Sequence, residues 1–268
     1  MANWHIFCEE SGDKGIPWIP GSSHFYIVTS VLVLEQDVNS LVNTIDTYKY
    51  KVLRMKAPLE WKKLSSAQKK DDKIISKFLR SIDNHGPNYI VSQVICNKHE
   101  TNGAGMIDRT KFMNYLYGLM FKRLSVFLKS TNSRAQLFID RNTDTLAQES
   151  LRQYIASVSR YQTGQHPRHS KPKWINPETH SILGLSDFMS GVTLRSLTDY
   201  QDNVSTACKV CNKDYGIYSC TTSNFSYYRS FKNVVDSCYY QFPKWDWKGL
   251  LYHPYTNKDN YKHIFIPQ

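Results

Sequence analysis

The opening of the chain constrains the fold more than any other stretch. Trp4-His5-Ile6-Phe7-Cys8 is a mostly apolar run that ends in Glu9 and Glu10, a Ser11-Gly12 turn and a third carboxylate, Asp13. A second apolar run, His24 to Leu34, follows. Two such runs across a turn predict a strand, a loop and an antiparallel partner strand. Glu9 and Glu10 then sit where the first strand ends. There the backbone fixes a carboxylate and solvent reaches it, which suits a metal ion. Solvated turn acids fit the same pattern.

The remaining chain alternates helical and strand patterns. Gln36 to Met55 has Leu41, Val42, Ile45, Tyr48 and Val52 at helical spacing, with Pro58 as the breaker. Ser65-Ser66 is placed to cap one following helix whose face is Ile74, Ile75, Phe78, Leu79 and Ile82. Asp83 to Pro87 stops it. Tyr89 to Cys96 reads as a strand, Lys111 to Leu128 as a helix, and Ala135 to Asp140 as a strand that again ends in an acid. Leu146 to Tyr161 reads as a helix, Gln162 to Pro172 as a polar loop, Lys173 to Asn176 as a short strand and His180 to Leu197 as a helix. This order predicts an α/β layered domain with a mixed sheet over residues 1–200. From about Gln201, Cys, Tyr, Asn, Ser and Lys dominate, so residues 201–268 read as an extension packed on that domain.

Charge narrows the partners. The 34 Lys and Arg against 23 Asp and Glu leave a formal +11, which favours a polyanion, with nucleic acid the leading class. No apolar stretch approaches the roughly 20 residues of a spanning helix, and no basic amphipathic helix presents a clean apolar face to a membrane. No basic segment leads into an apolar run at the N-terminus, so a cytoplasmic chain is expected.

Four acids stand out by setting. Glu9 ends the first strand, Glu60 follows the first helix, Asp140 ends a central strand, and Asp187 lies among Leu183, Leu185, Phe188, Met189 and Val192. A carboxylate in apolar surroundings needs a partner. For Asp187 that is a cap, a base or a metal. Acids ending parallel neighbouring strands lie close together and repel, and a divalent cation relieves the repulsion. All-oxygen sites suit Mg²⁺ or Mn²⁺, and two such ions form a clamp for phosphodiester hydrolysis. Taken singly, each acid also has an ordinary reading: a turn acid, a surface pair of Glu60 with Lys62 or Lys63, or a buried structural pair for Asp187.

Together these segments resemble the DUF3800 family. The resemblance rests on Phe7-Cys8-Glu9-Glu10-Ser11-Gly12-Asp13, Leu59-Glu60-Trp61-Lys62, Leu137-Phe138-Ile139-Asp140 and Leu183-Gly184-Leu185-Ser186-Asp187-Phe188-Met189-Ser190-Gly191, in that order. It spans about residues 5–200 and implies a ribonuclease H-like mixed sheet flanked by helices. It implies a metal-dependent nuclease in which Glu9, Glu60, Asp140 and Asp187 hold Mg²⁺ or Mn²⁺. The family usually has Asp where this chain has Glu9. That difference motivates the alternative, a non-catalytic nucleic-acid-binding or interaction module that keeps the fold. Glu60-Trp61-Lys62 also echoes the Glu-x-Lys of restriction-type nucleases, in which Lys62 orients water or stabilises phosphorane charge.

Further features remain. Cys208-x2-Cys211 with Cys220 and Cys238 has the ligand types of a structural zinc site, with free thiols as the alternative. Cys8 and Cys96 read as core residues. Asn102-Gly103-Ala104-Gly105 lacks the Gly-Lys-Ser/Thr of a phosphate loop. His166, Arg168, His169 and Lys171 read as a solvated basic loop, or as phosphate contacts. Tyr227, Tyr228, Arg229, Lys232, Tyr239, Tyr240, Lys244, Trp245 and Trp247 interleave rings and bases, as either a strand-binding surface or a packed extension would.

Overall fold

The structure is a computed structural model that describes residues 2–13, 22–98, 101, 106–141, 144–163, 167–176, 178, 180–204, 234 and 250–253. Among these residues it is a mixed α/β architecture built on one six-stranded sheet. The strands are β1 (Asn3–Ser11), β2 (Phe25–Leu34), β3 (Tyr89–Asn97), β4 (Arg134–Asp140), β5 (Lys173–Ile175) and β6 (Leu250–His253). Their order is β5-β4-β1-β2-β3-β6. β1 pairs antiparallel with β2 and β2 antiparallel with β3, while β4 pairs parallel with β1, β5 with β4 and β6 with β3. β2 is therefore the one reversed strand among them. β1 and β4 point the same way and end at the same edge.

Helices cover both faces. They are α1 (Val38–Lys51), α2 (Ser66–Lys70), α3 (Asp72–His85), α4 (Arg109–Ser130), α5 (Thr145–Thr163) and α6 (Ser181–Val204). Strand alternation divides the core. Phe7, Phe25, Ile27, Val31 and Val33 face α1, α3 and α6, whose Ile45, Phe78, Leu79, Phe188 and Val192 join the same cluster. Ile6, Cys8, Tyr26, Val28 and Leu32 face α4 and α5, through Phe112, Phe121, Leu124, Leu151 and Ile155. With both faces covered, β2 and β3 are buried along nearly their whole length.

Several expectations are corrected. The first helix ends at Lys51, ahead of Pro58, and Arg54 takes a left-handed conformation with φ 56°. The predicted single helix after Ser65 is two. Ser65 forms a reciprocal capping box with Gln68, but that helix stops at Lys70, and Asp71 then caps α3 by accepting the Ile74 N–H. Asp71 sits outside the helical region, with ψ 86°, so the chain turns there although the apolar periodicity runs on. Residues 250–253, in the stretch read as an extension, supply an edge strand to the sheet, and Val234 is buried in the α6-side core. Among the described residues no helix is long and apolar enough to cross a membrane.

Candidate functional site

The site begins where β1 and β4 end. Phe7 pairs with Phe138 and Cys8 with Ile139 in the parallel ladder. The Phe7 and Phe138 rings stack on the α6 face, centroids 4.8 Å apart and nearly coplanar in tilt at 9°. Two residues further along each strand, on that same face, come Glu9 and Asp140. The ladder ends at Cys8 and Ile139, so the two acids follow it directly at one edge, where the charge of Asp140 acts on Glu9.

Both acids are poorly compensated. Glu9 is only 7% exposed, and its Oε2 has no hydrogen-bond partner among the described residues. The same holds for Oδ1 of Asp140. Burial pushes the Glu9 carboxyl well above the usual range, the charges of Asp140, Glu10 and Asp187 push it further, and the Glu10 N–H offsets part of this. Asp140 is also raised by burial. The Arg141 N–H and the Lys62 ammonium pull against that rise, and the charges of Glu10 and Glu60 add to it.

Helix α6 brings the other two acids. It carries glycines at 184 and 191, one on each side of Asp187, and the segment around Glu60 lies across them. A Cβ at Gly184 would fall 2.2 Å from the Leu59 carbonyl oxygen, and one at Gly191 would fall 2.2 Å from the Trp61 ring. Only bare backbone admits so close a crossing. Between the two glycines, Oδ2 of Asp187 accepts the Trp61 N–H at 2.6 Å. Asp187 therefore docks the Glu60 segment through its backbone. Burial raises its carboxyl, the Trp61 N–H counters, and the charge of Glu60 adds to the rise, leaving it at about 6.

Glu60 is 2% exposed and ion-paired through both oxygens, although Oε1 has no hydrogen bond of good geometry among the described residues. Lys63 Nζ lies 2.6 Å from its Oε1 and Lys62 Nζ lies 2.9 Å from its Oε2. Lys63 also reaches Glu178, at 2.8 Å. Burial works against the Glu60 charge, but the two ammonium groups outweigh it and hold the carboxyl below its ordinary value. The Lys62 side chain itself is largely exposed and its ammonium is within the field of Asp187 and Asp140.

Small polar residues on α6 fix its position over the sheet. Ser186 donates to the Phe7 carbonyl at 3.1 Å, Ser190 to Thr29 at 2.6 Å and Thr193 to Gln93 Oε1 at 3.1 Å, while Gln93 donates to Thr29 at 2.9 Å. These groups are fully buried and mutually satisfied, which makes the helix register specific. On the far side of the loop after β1, the buried Lys98 ammonium bonds Asp13 Oδ1 at 2.7 Å, and Asp13 Oδ2 accepts the Ser23 hydroxyl at 2.8 Å. That clasp ties β1, β2 and β3 together just beyond Glu9 and Glu10.

The structure thus brings Glu9, Asp140, Asp187, Glu60 and Lys62 into one electrostatic neighbourhood. As the side chains stand, no three acids, imidazoles or thiols among the described residues converge as a metal-binding set. The donor set itself fits a hard cation: desolvated carboxylates that repel one another, with buried oxygens left without donors. Of the roles considered for Asp187, the structure shows the capping kind, acceptance of a backbone N–H, and the side chain also lies in the field of Glu60 and Asp140.

His169, read as part of a solvated loop, is corrected. It bridges Ser159 Oγ at 2.7 Å and the Ser170 carbonyl at 2.9 Å, and packs against Phe121. Cys8 and Cys96 are buried free thiols. Cys208, Cys211, Cys220 and Cys238, the Asn102–Gly105 loop, His166 and the aromatic and basic residues from Tyr227 to Trp247 lie outside the described residues. Sequence reasoning missed the glycines at 184 and 191 as docking points. Their spacing of seven around an acid was the available signal.

The chain matches no protein-family model and no curated protein sequence.

Proposed function

We propose that this chain is a metal-dependent nuclease of the DUF3800 type with a ribonuclease H-like fold, acting on nucleic acid in the cytoplasm. The observation that carries the reading is that Glu9 and Asp140 directly follow Cys8 and Ile139, the last paired residues of two adjacent parallel strands, each with a buried carboxylate oxygen that lacks a donor among the described residues. Such an arrangement is costly unless a cation completes it. A sheet with β2 as its one reversed strand supports the fold assignment, and the +11 charge supports a polyanionic substrate.

In this reading Glu9, Asp140, Asp187 and Glu60 hold Mg²⁺ or Mn²⁺. When bound, the metal supplies an activated water and charge neutralisation at the leaving oxygen. The protein's own residues do the rest. Asp187 holds the Trp61 backbone and thereby aims Glu60 at the strand ends. Lys63 keeps Glu60 ionised. Lys62, anchored to Glu60 but exposed, is free to swing to a phosphate oxygen and stabilise developing charge. Burial of Glu9 excludes water from the side facing the core.

A specific observation favours the alternative of a non-catalytic nucleic-acid-binding module: two lysines already neutralise Glu60. Cleavage of RNA, DNA and hybrid substrates by the wild type, Asp140→Asn and Asp187→Asn, with Mg²⁺, Mn²⁺ or EDTA, separates the two. Metal-dependent cleavage lost in both variants is the expected result. Salt-sensitive binding with no cleavage under any condition establishes the module instead. A structural zinc on Cys208, Cys211, Cys220 and Cys238 is a separate proposal, and metal analysis of the purified protein without near-stoichiometric zinc removes it.

A further inference from the structure

The positive charge of the chain is concentrated. Residues 51–80 hold ten Lys and Arg against three acids, a net +7, while all other residues together hold 24 bases against 20 acids. The three acids of the stretch are turned to structural tasks. Glu60 is buried and ion-paired with Lys62 and Lys63, Asp71 accepts the Ile74 N–H, and Asp72 is buried. The bases stay outside. Lys62, Lys70, Lys73, Lys77 and Arg80 are exposed. Among the described residues no carboxylate pairs with Lys70, Lys73 or Lys77.

These bases form a line that starts at the acidic group. Lys62 is its near end, and the Lys62 ammonium lies in the field of Asp187 and Asp140. Lys69 comes next. It donates to the Lys62 carbonyl at 3.4 Å and lies over the Trp61 ring, 5.8 Å from the centroid. Lys70 ends α2, and Lys73, Lys77 and Arg80 follow on one side of α3, four and then three residues apart. The line is braced where it turns. Ser65 and Gln68 close the cap of α2, Gln68 donates to the Leu53 carbonyl at 2.6 Å, and Asp71 caps α3.

We propose that the α2–α3 ridge is the track along which a nucleic-acid backbone lies as it reaches the acidic group. The inference rests on the nuclease reading and names where the substrate of that site is held. Like charges fixed on braced helices repel, and a phosphate strand relieves the repulsion while releasing its own counterions. From Lys73 to Arg80 the ridge runs about 10 Å at 1.5 Å per residue. A B-form strand carries one phosphate per 3.4 Å of axis, so this stripe faces about three phosphates. Lys62 takes the phosphate beside the acids. Contacts of this kind set position and carry no base sequence. The other polyanion, an anionic membrane, fits less well. The exposed positions of α3 are Lys73, Lys77, Arg80, Asn84 and His85, with no apolar side chain among them to enter a lipid surface.

The test uses the full chain in EDTA and fluorescence anisotropy with labelled oligothymidine and a labelled DNA duplex, titrated across a range of KCl concentrations. The ridge variant is Lys70→Gln/Lys73→Gln/Lys77→Gln. Its slope of log affinity against log salt is expected to be shallower than wild type by about 2 on the single strand and about 3 on the duplex, at roughly 0.7 and 0.9 per lost phosphate contact. At about 0.1 M salt its affinity is expected to fall at least about tenfold. Lys122→Gln/Lys129→Gln/Arg134→Gln removes the same charge from exposed sites on α4 and β4 and is expected to keep the wild-type slope. An unchanged slope in the ridge variant, an equal change in the α4–β4 variant, or no salt-dependent binding by the wild type overturns the inference. So does loss of binding to phosphatidylserine vesicles in the ridge variant with oligonucleotide binding intact, which assigns the surface to a membrane. Metal-dependent cleavage with an unchanged slope in the ridge variant sinks the track and leaves the nuclease reading standing. The expected slope change with no cleavage in Mg²⁺ or Mn²⁺ does the reverse.

Discussion

Asp187→Asn should make the metal-free protein more stable while removing its function. Asp187 has a folded carboxyl near 6 against an ordinary 3.8. Between those values the native protein keeps a proton that the unfolded chain has released, so wild-type stability falls as the pH rises through the window. Above it, the ionised group costs up to about 3 kcal/mol, at about 1.36 kcal/mol per pH unit. Asparagine removes the charge and still offers an oxygen to the Trp61 N–H. In EDTA at pH 8 the variant should therefore gain up to about 3 kcal/mol, or about 6–12 °C in melting temperature for a chain of this size. At pH 4 the gain should shrink to less than about 1 kcal/mol, because the wild-type group is protonated there. Excess Mn²⁺ should reverse the order: at about 1,000 times its dissociation constant a ligand adds about 4.1 kcal/mol to the protein that binds it, more than the variant's gain. Urea unfolding at both pH values, with and without Mn²⁺, measures all of this. A variant less stable than wild type at pH 8 in EDTA, or one with equal gains at pH 4 and pH 8, refutes the assignment of Asp187 as a desolvated, functionally retained carboxylate.

The remaining predictions concern neighbouring elements. Glu9→Gln should raise metal-free stability at pH 8, since the buried charge is repelled by Asp140, Glu10 and Asp187, and should abolish any Mn²⁺-induced rise in melting temperature; an unchanged rise counts against Glu9 as a ligand. Gly191→Ala drives a β-carbon into the Trp61 ring and should cost about 1–3 kcal/mol, with a shift in tryptophan fluorescence; wild-type stability and spectrum contradict the proposed docking. Lys98→Met should cost about 1–3 kcal/mol by leaving the Asp13 carboxylate without its ammonium. That is less than a fully buried pair, because Asp13 is half-exposed, and no change in urea midpoint contradicts the clasp.

Much of the fold was legible because the strands are apolar and the helices periodic. β1 to β5 lie within a residue or two of their expected bounds, since Val, Ile and Phe runs flanked by turn residues leave few alternatives. The break between α2 and α3 was hidden, because Lys70-Asp71-Asp72 is polar in either a helix or a kink and only the backbone at Asp71 distinguishes them. β6 is four residues long, Leu-Leu-Tyr-His, too short to alternate visibly. The candidate site was legible as an order of acids, two of which directly follow the last paired residues of the parallel strands β1 and β4. The partners were not legible. That Asp187 accepts a backbone N–H and that Glu60 is held by two lysines depends on the crossing of residues 59–61 over the α6 glycines, a long-range contact. His169 was misread because its neighbours Arg168, Ser170 and Lys171 are polar, although its ring turns inward to Ser159.

The central claim is that Glu9 and Asp140 bind a divalent cation. Anomalous diffraction from crystals of the wild-type protein soaked in Mn²⁺ measures this most directly. The account predicts a manganese peak bridging the Glu9 and Asp140 carboxylates, within about 2.0–2.6 Å of an oxygen of each, and no peak there in Asp140→Asn. Strong manganese density elsewhere with none between these two strand ends contradicts it.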